Sequence, residues 1–440
     1  MATPKPFQIA VPQEKIDKFK LKLSLAELPD ELEGAGWDYG VPLAEMKRLT
    51  KAYEKWDWRQ AEARLNKLPQ YTTTIKVDGY DELDIHFLWQ KSKVKNAIPL
   101  LMVHGVCHFL VSCYIWSTPN LIVYFANTKL CLFSVSFEFH PSLSTHSSYI
   151  GPASFIEFQH ILPLLADNPD GPAFHIVAPS LPNFGFSSGV KTRGFAPPKY
   201  SETLHKLMLS LGYTEYATQG GDWGYFITRI MGRTYPESVK ASHINTMACN
   251  PPENFDYSTL TEREKAGLDR SAWFVKEGQG YYHQQTTQPQ TLAYALNDSP
   301  VALLAWIYDK LHFWTDSYPW TDDEIFTWIS VYAYSRAGPG ASLRIYYEHV
   351  HGEGDNDLLG AATYVPHVKL GLAHNPKEMS AQPISWSRQM GPIVYDSVHD
   401  SGGHFMASER PHYLAKDLKT MFGKEGGAFG AVPGKNGYDA

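Results

Sequence analysis

An aspartate set among glycines, in Gln219-Gly220-Gly221-Asp222-Trp223-Gly224, has the surroundings of a nucleophile. The stretch from Tyr213 to Gln219 reads as a short strand, and Tyr225 to Tyr235 reads as a helix closed by Pro236, so Asp222 falls on a strand-turn-helix corner. Glycines at 220, 221 and 224 allow the tight bend and the close helix packing that such a corner needs. A carboxylate placed there attacks and forms an ester, which water must then cleave. Read alone, the segment favours an N-cap aspartate on an ordinary helix. Its partners elsewhere in the chain reverse that preference.

Ester cleavage calls for a histidine that activates water and a second acid that orients the histidine. His404, in Gly402-Gly403-His404-Phe405, follows the strand-like run Ile393 to Ser397 in a glycine-rich loop, where an imidazole can project over strand ends. Taken singly, one loop histidine among eighteen is more often structural. The order aspartate, acid, histidine is nevertheless that of strand-elbow hydrolases. Glu378, 26 residues before His404, is the best candidate orienter, and Asp396 and Asp400, on or just after the last strand, are weaker rivals. Gly185-Phe186-Ser187-Ser188-Gly189 matches a serine elbow by letter, but Ser187 lies between a loop and a proline-containing stretch rather than between strand and helix. His349-x-His351 lacks a third ligand at useful spacing and reads as a solvated loop. No metal and no cofactor is expected.

These residues need a frame. A chain of 440 residues can bury a large core, and its net charge of -7 without any basic block excludes a nucleic-acid footprint. The N-terminus shows no signal pattern, and no run of about 18 apolar residues occurs, so the cytoplasm is the expected address and membrane association is not expected. Four cysteines without CxxC spacing give neither a disulfide framework nor a zinc site. Residues 1–95 read as an arm with helices over Gln13 to Leu25 and Leu43 to Glu54, then a hairpin of Thr72 to Val77 and Leu83 to Trp89. Short apolar runs follow, at Pro99 to Val103, Phe174 to Ala178, Ala217 to Gln219, Ala241 to Asn245 and Ile393 to Ser397, as a parallel sheet buried on both faces would give. The fold class is α/β. The expected division is arm 1–95, core 96–247, a helical aromatic-rich cap 248–365 inserted in the core, and the rest of the core 366–440. Oligomeric state is not legible.

The chain resembles the microsomal-type epoxide hydrolases, an α/β-hydrolase branch with an N-terminal arm. The resemblance is nearly end to end, and it is carried by Pro29-Asp30-Glu31-Leu32 with Gly36-Trp37-Asp38-Tyr39-Gly40, Trp56-Asp57-Trp58-Arg59, Gln219 to Gly224, Asn297-Asp298-Ser299-Pro300 and Gly402 to Phe405. It implies that Asp222 attacks an epoxide carbon, that His404 with Glu378 hydrolyses the ester, and that two cap tyrosines hold the epoxide oxygen. By the family's pattern these are Tyr281 and Tyr346, with Tyr347 the fallback. Two phenols can assist the departing alkoxide at neutral pH. The implied substrates are a small apolar epoxide and water. The oxyanion of ester hydrolysis needs backbone N–H donors, one from Trp223.

The second oxyanion donor departs from the family. An H-G-x-P turn is expected after Pro99 to Val103, but His104-Gly105 leads instead into Val106 to Ile150, 45 residues with only Lys129 and Glu138 as full charges. The pattern resumes at Gly151-Pro152-Ala153-Ser154-Phe155-Ile156-Glu157. Joining Gly105 to Gly151 would restore the turn, with the donor on Gly151; as the chain is written, the donor falls on Val106. The segment is rich in residues with thymine-rich codons, so the expectation is a translated intron, with a membrane-binding insertion as the rival. Either puts the activity of the chain as written in question. Two other functions stand against the epoxide reading: a haloalkane dehalogenase, whose elbow also pairs aspartate with tryptophan, and a non-catalytic binder of apolar ligands.

Overall fold

The computed structural model describes residues 3–105, 153–167, 171–352 and 359–439. Among the described residues nine strands form one sheet: β1 (Lys5–Pro6), β2 (Gln70–Lys76), β3 (Glu82–Gln90), β4 (Ile98–Val103), β5 (Phe174–Pro179), β6 (Tyr216–Gly220), β7 (Val239–Ile244), β8 (Lys369–His374) and β9 (Ile393–Val398). Their order is β1-β2-β3-β5-β4-β6-β7-β8-β9. The first pairings, as far as β3 with β5, are antiparallel, and β5 through β9 run parallel. Every residue of β4 and β6 is buried, which is why β4 reads as an unbroken apolar run. β4 pairs with β5 on one side and β6 on the other, so the chain reverses its direction of travel across the sheet there. Ligand sites in such sheets open at the carboxyl ends beside that switch point. Val103 to Gly105 and Gly220 to Asp222 meet at this place.

The sequence expectations differ from the structure at a few points. The strand before the elbow starts at Tyr216, not Tyr213, and two strands escaped notice. β1 has only two residues. β8 contains Gly371, where a Cβ would lie 2.5 Å from Met421 Sδ, so packing demands a residue of poor strand propensity. Asp78 and Gly79 do lie in the turn between β2 and β3.

Among the described residues, six helices of eight residues or more lie between β7 and β8: Glu262–Glu277, Gly280–Thr287, Pro289–Asp298, Pro300–Phe313, Asp322–Ala333 and Arg344–His351. The arm helix Leu43–Lys55 grips the fifth of these. Tyr53 stacks on Phe326 at 4.4 Å and its hydroxyl meets Ser330 Oγ at 2.7 Å, while Arg48 pairs with Asp322 at 2.8 Å and Trp56 Nε1 donates to Asp323 at 2.8 Å. Thr321 and Glu324 close a capping box at the start of the gripped helix. Among the described residues, no helix is long and apolar enough to cross a membrane.

Candidate active site

Asp222 sits at φ +62° and ψ −129°, a region that residues with a Cβ rarely occupy. Such a backbone costs about 1–3 kcal/mol and persists only where the surroundings hold it. The surroundings here are glycines. A Cβ at Gly220 would overlap the Gly224 carbonyl, one at Gly224 would overlap the Val103 carbonyl, and one at Gly105 would overlap the Asp222 side chain itself. Helix Trp223–Thr234 begins directly after the corner, and Asp222 Oδ1 accepts from the Trp223 N–H. The Gly105→Ala variant should therefore push the carboxylate out of line. A displacement of about 1 Å costs roughly 10²-fold in rate, so kcat/KM should fall by about that factor, with the melting temperature reporting whether the fold survives.

His404 bridges two acids. Its Nε2 lies 2.9 Å from Asp222 Oδ2, and its Nδ1 lies 2.8 Å from Glu378 Oε1. All three side chains are buried. Burial opposes charge on His404, yet the Glu378 and Asp222 carboxylates raise its pKa well above the ordinary imidazole value. Burial would also raise Glu378, but the His404 charge, the His404 hydrogen bond, the Met379 N–H and the Thr246 hydroxyl together hold its carboxyl below the usual range. The rivals go elsewhere: Asp396 lies 2.9 Å from His374 on the adjacent strand, and Asp400 is exposed beyond the end of β9.

The loop that carries His404 is pinned from three sides. His404 N–H donates to the Trp314 carbonyl at 2.8 Å, and Asn375 Nδ2 donates to the Gly403 carbonyl at 2.9 Å. Glu409 accepts from the N–H groups of Asp316, Gly403 and Phe405 at 2.8, 3.1 and 3.0 Å. Burial pushes Glu409 up to about 7 against those donors. Sequence reasoning passed over Glu409; an acid five residues after a loop histidine, just before a helix-starting proline, was its only signal. It also passed over Tyr332, whose hydroxyl donates to the Ala153 carbonyl at 2.6 Å. Burial, then the charges of Asp222 and Glu157, push that phenol well above its ordinary value.

Tyr346 is wholly buried, with its ring edge-on to Trp223 at 5.7 Å. Tyr347 faces the other way, stacked on the exposed His351 at 4.1 Å. Tyr281 packs against Trp314 at 5.3 Å, and Trp314 in turn meets the His404 ring at 5.7 Å. The cap thus brings one tyrosine beside the elbow and another beside the histidine loop. The solvated-loop reading of His349-x-His351 is overturned: both belong to helix Arg344–His351, and His349 is buried with its ring 5.4 Å from Trp223. Two residues apart on a helix, they point to different sides. Ser187 is buried, donating to the Ser180 carbonyl at 2.6 Å and accepting from His86 N–H at 2.9 Å, so it serves the loop and not a reaction. Gly151, Val106 and the whole of Val106 to Ile150 lie outside the described residues.

Comparison with known proteins gives a consistent picture. The family model "Epoxide hydrolase N terminus" matches residues 4–111, and "alpha/beta hydrolase fold" matches residues 142–319. The solved structure of Aspergillus niger epoxide hydrolase is 30% identical, covering 94% of this chain and 95% of that one, with a TM-score of 0.75. The juvenile hormone epoxide hydrolase of the silkworm Bombyx mori is 27% identical, covering 95% and 93%, with a TM-score of 0.77. Epoxide hydrolase 1 of Sus scrofa is 29% identical over 95% of this chain and 88% of its own length.

Proposed function

This chain belongs to the microsomal-type epoxide hydrolase family, on the α/β-hydrolase fold, and we propose that it converts apolar epoxides to vicinal diols through an aspartyl ester. The observation that carries this reading is the buried line Asp222–His404–Glu378, with hydrogen bonds of 2.9 and 2.8 Å at a left-handed elbow. Asp222 Oδ2 attacks one ring carbon and the C–O bond of the epoxide breaks. The leaving oxygen takes its proton or hydrogen bonds from Tyr281 and Tyr346. Once the ester has removed the Asp222 charge that held His404 protonated, the imidazole returns a proton to the cap phenolate; as a neutral base it then takes one from the water that attacks the ester carbonyl, while Glu378 holds the imidazole and balances its charge. The Trp223 N–H, which donates to Asp222 Oδ1, meets the oxyanion in this reading. The second donor is assigned to Gly151, or to Val106 in the chain as written. Many aromatics in the cap suit a bulky apolar substrate, and we assign the reaction to the cytoplasm.

The test is diol formation from an aryl epoxide by the chain as written and by a chain joining Gly105 to Gly151. We expect activity in the joined chain and little in the other, as the translated-intron reading of Val106 to Ile150 requires. Halide release from a chloroalkane without diol from the epoxide would transfer the site to the dehalogenase reading. Epoxide binding by both chains without turnover would leave a ligand binder. The Tyr281→Phe/Tyr346→Phe double variant should lose about 10²- to 10⁴-fold in ester formation, the range that general acids supply. Its ester, once formed, should decay at close to the normal rate, which rapid-quench mass spectrometry reads directly.

A further inference from the structure

Behind the nucleophile lies a small cavity of about 10 Å³, walled among the described residues by Gly105, Glu157, Gln219, Asp222, Asn245 and His404, among others. That volume is about what one water needs, provided two to four polar partners face it. Partners are present. Gln219 Nε2 donates to Asn245 Oδ1 at 2.8 Å, which leaves Gln219 Oε1 buried with no hydrogen-bond partner among the described residues. Asp222 and His404 form the reactive wall. Glu157 stands on the short turn Phe155–Phe158, started by the Ser154 cap, with Phe158, Ala407 and Leu414 among its neighbours in the wall.

We infer that Glu157 and Gln219 hold the hydrolytic water in this cavity, against the Asp222 carbonyl carbon and His404 Nε2. The inference rests on the aspartyl-ester reading above. Burial pushes the Glu157 carboxyl up to about 8; the His404 charge lowers it, and those of Asp222, Glu409 and Glu378 raise it. The Tyr332 phenol feels the same carboxyl. At neutral pH Glu157 is therefore a neutral acid with a proton to donate. The water accepts the Glu157 O–H with one lone pair and aims the other at Asp222 Cγ. One of its protons goes to Gln219 Oε1 as a hydrogen bond, and the other passes to His404 Nε2 as the new C–O bond forms. The tetrahedral centre then expels the diol oxygen, which takes the proton back from His404, and Asp222 returns carrying one oxygen from the water, whose second proton passes from the new carboxyl to His404 and restores the resting pair.

The experiment is single-turnover mass spectrometry with styrene oxide, following adduct formation and decay separately in Glu157→Leu and Glu157→Gln, made in both the chain as written and the joined chain. In Glu157→Leu the adduct should form at a rate within about threefold of the parent and decay about 10- to 100-fold more slowly, the scale of a mispositioned reactant. Glu157→Gln mimics the neutral acid and should restore decay at pH 7. Above about pH 8 parental decay should fall while Glu157→Gln stays flat. Parental decay in Glu157→Leu, or equal slowing in both variants, would overturn the inference while the ester stands. If neither parent nor its His404→Gln variant forms an adduct, the ester reading falls and takes this inference with it.

Discussion

Replacing Asp222 with alanine should lower kcat/KM for epoxide opening by at least about 10⁴-fold, the scale seen when a covalent nucleophile is removed. The loss is large because nothing else on the elbow can take over. The neighbours on either side are Gly221 and Trp223, and His404 Nε2 lies 2.9 Å from Asp222 Oδ2. The fold should survive the change at some cost in stability. Alanine keeps the left-handed backbone that a Cβ disfavours and removes one of the two acids that balance the His404 charge. Diol assays paired with thermal melting separate the two effects. Diol production by the alanine variant at even one hundredth of the parental rate would remove Asp222 from the mechanism.

His404→Gln should show the opposite face of the same chemistry: one equivalent of epoxide consumed, a stable protein adduct, and diol release slowed by about 10²- to 10⁴-fold, the contribution of a general base. In the proposed mechanism the Asp222 carboxylate and the cap phenols form the ester without the imidazole, so the first half-reaction should persist. Intact mass would show parent plus one epoxide, and peptide mapping should place the adduct on Asp222. The same variant changes how stability responds to pH. The folded-state pKa of His404 lies well above its ordinary value. Its ion pairs therefore add stability that is complete below the unfolded value of about 6.5 and is lost as pH rises through the folded value. Denaturant melts of the parent should weaken on the alkaline side over that window, and melts of His404→Gln should not.

Local patterns in the chain carried far because local sterics are decided by near neighbours in sequence. Three glycines within five residues are needed for Asp222 to turn between β6 and helix Trp223–Thr234, and they can be read without knowing what lies opposite. The runs of β4 and β5 are similarly plain, since a strand buried on both faces favours apolar residues. β8 was not plain, because the Met421 thioether packs where a side chain on Gly371 would stand.

Pairing at a distance is another matter. Asp222 and His404 are 182 residues apart, and the bond between them exists only because β6 and the loop after β9 end on the same edge of one sheet. Three acids stood within reach of His404 in sequence; sheet register turns Asp396 toward His374, leaves Asp400 exposed, and faces Glu378 to the imidazole. Tyr346 and Tyr347 are adjacent letters, and helical phase alone sends one inward to Trp223 and the other outward. Glu409 and Tyr332 carried no motif, and the pattern that contains Glu157 gave it no role, since their surroundings come from segments that meet only when the sheet, the cap and the histidine loop close together. The sequence by itself determined the corner, the strands and the residue types for the chemistry, because backbone geometry answers to neighbours along the chain. Tertiary structure decided which acid, which tyrosine and which cavity, because burial and charge answer to neighbours in space.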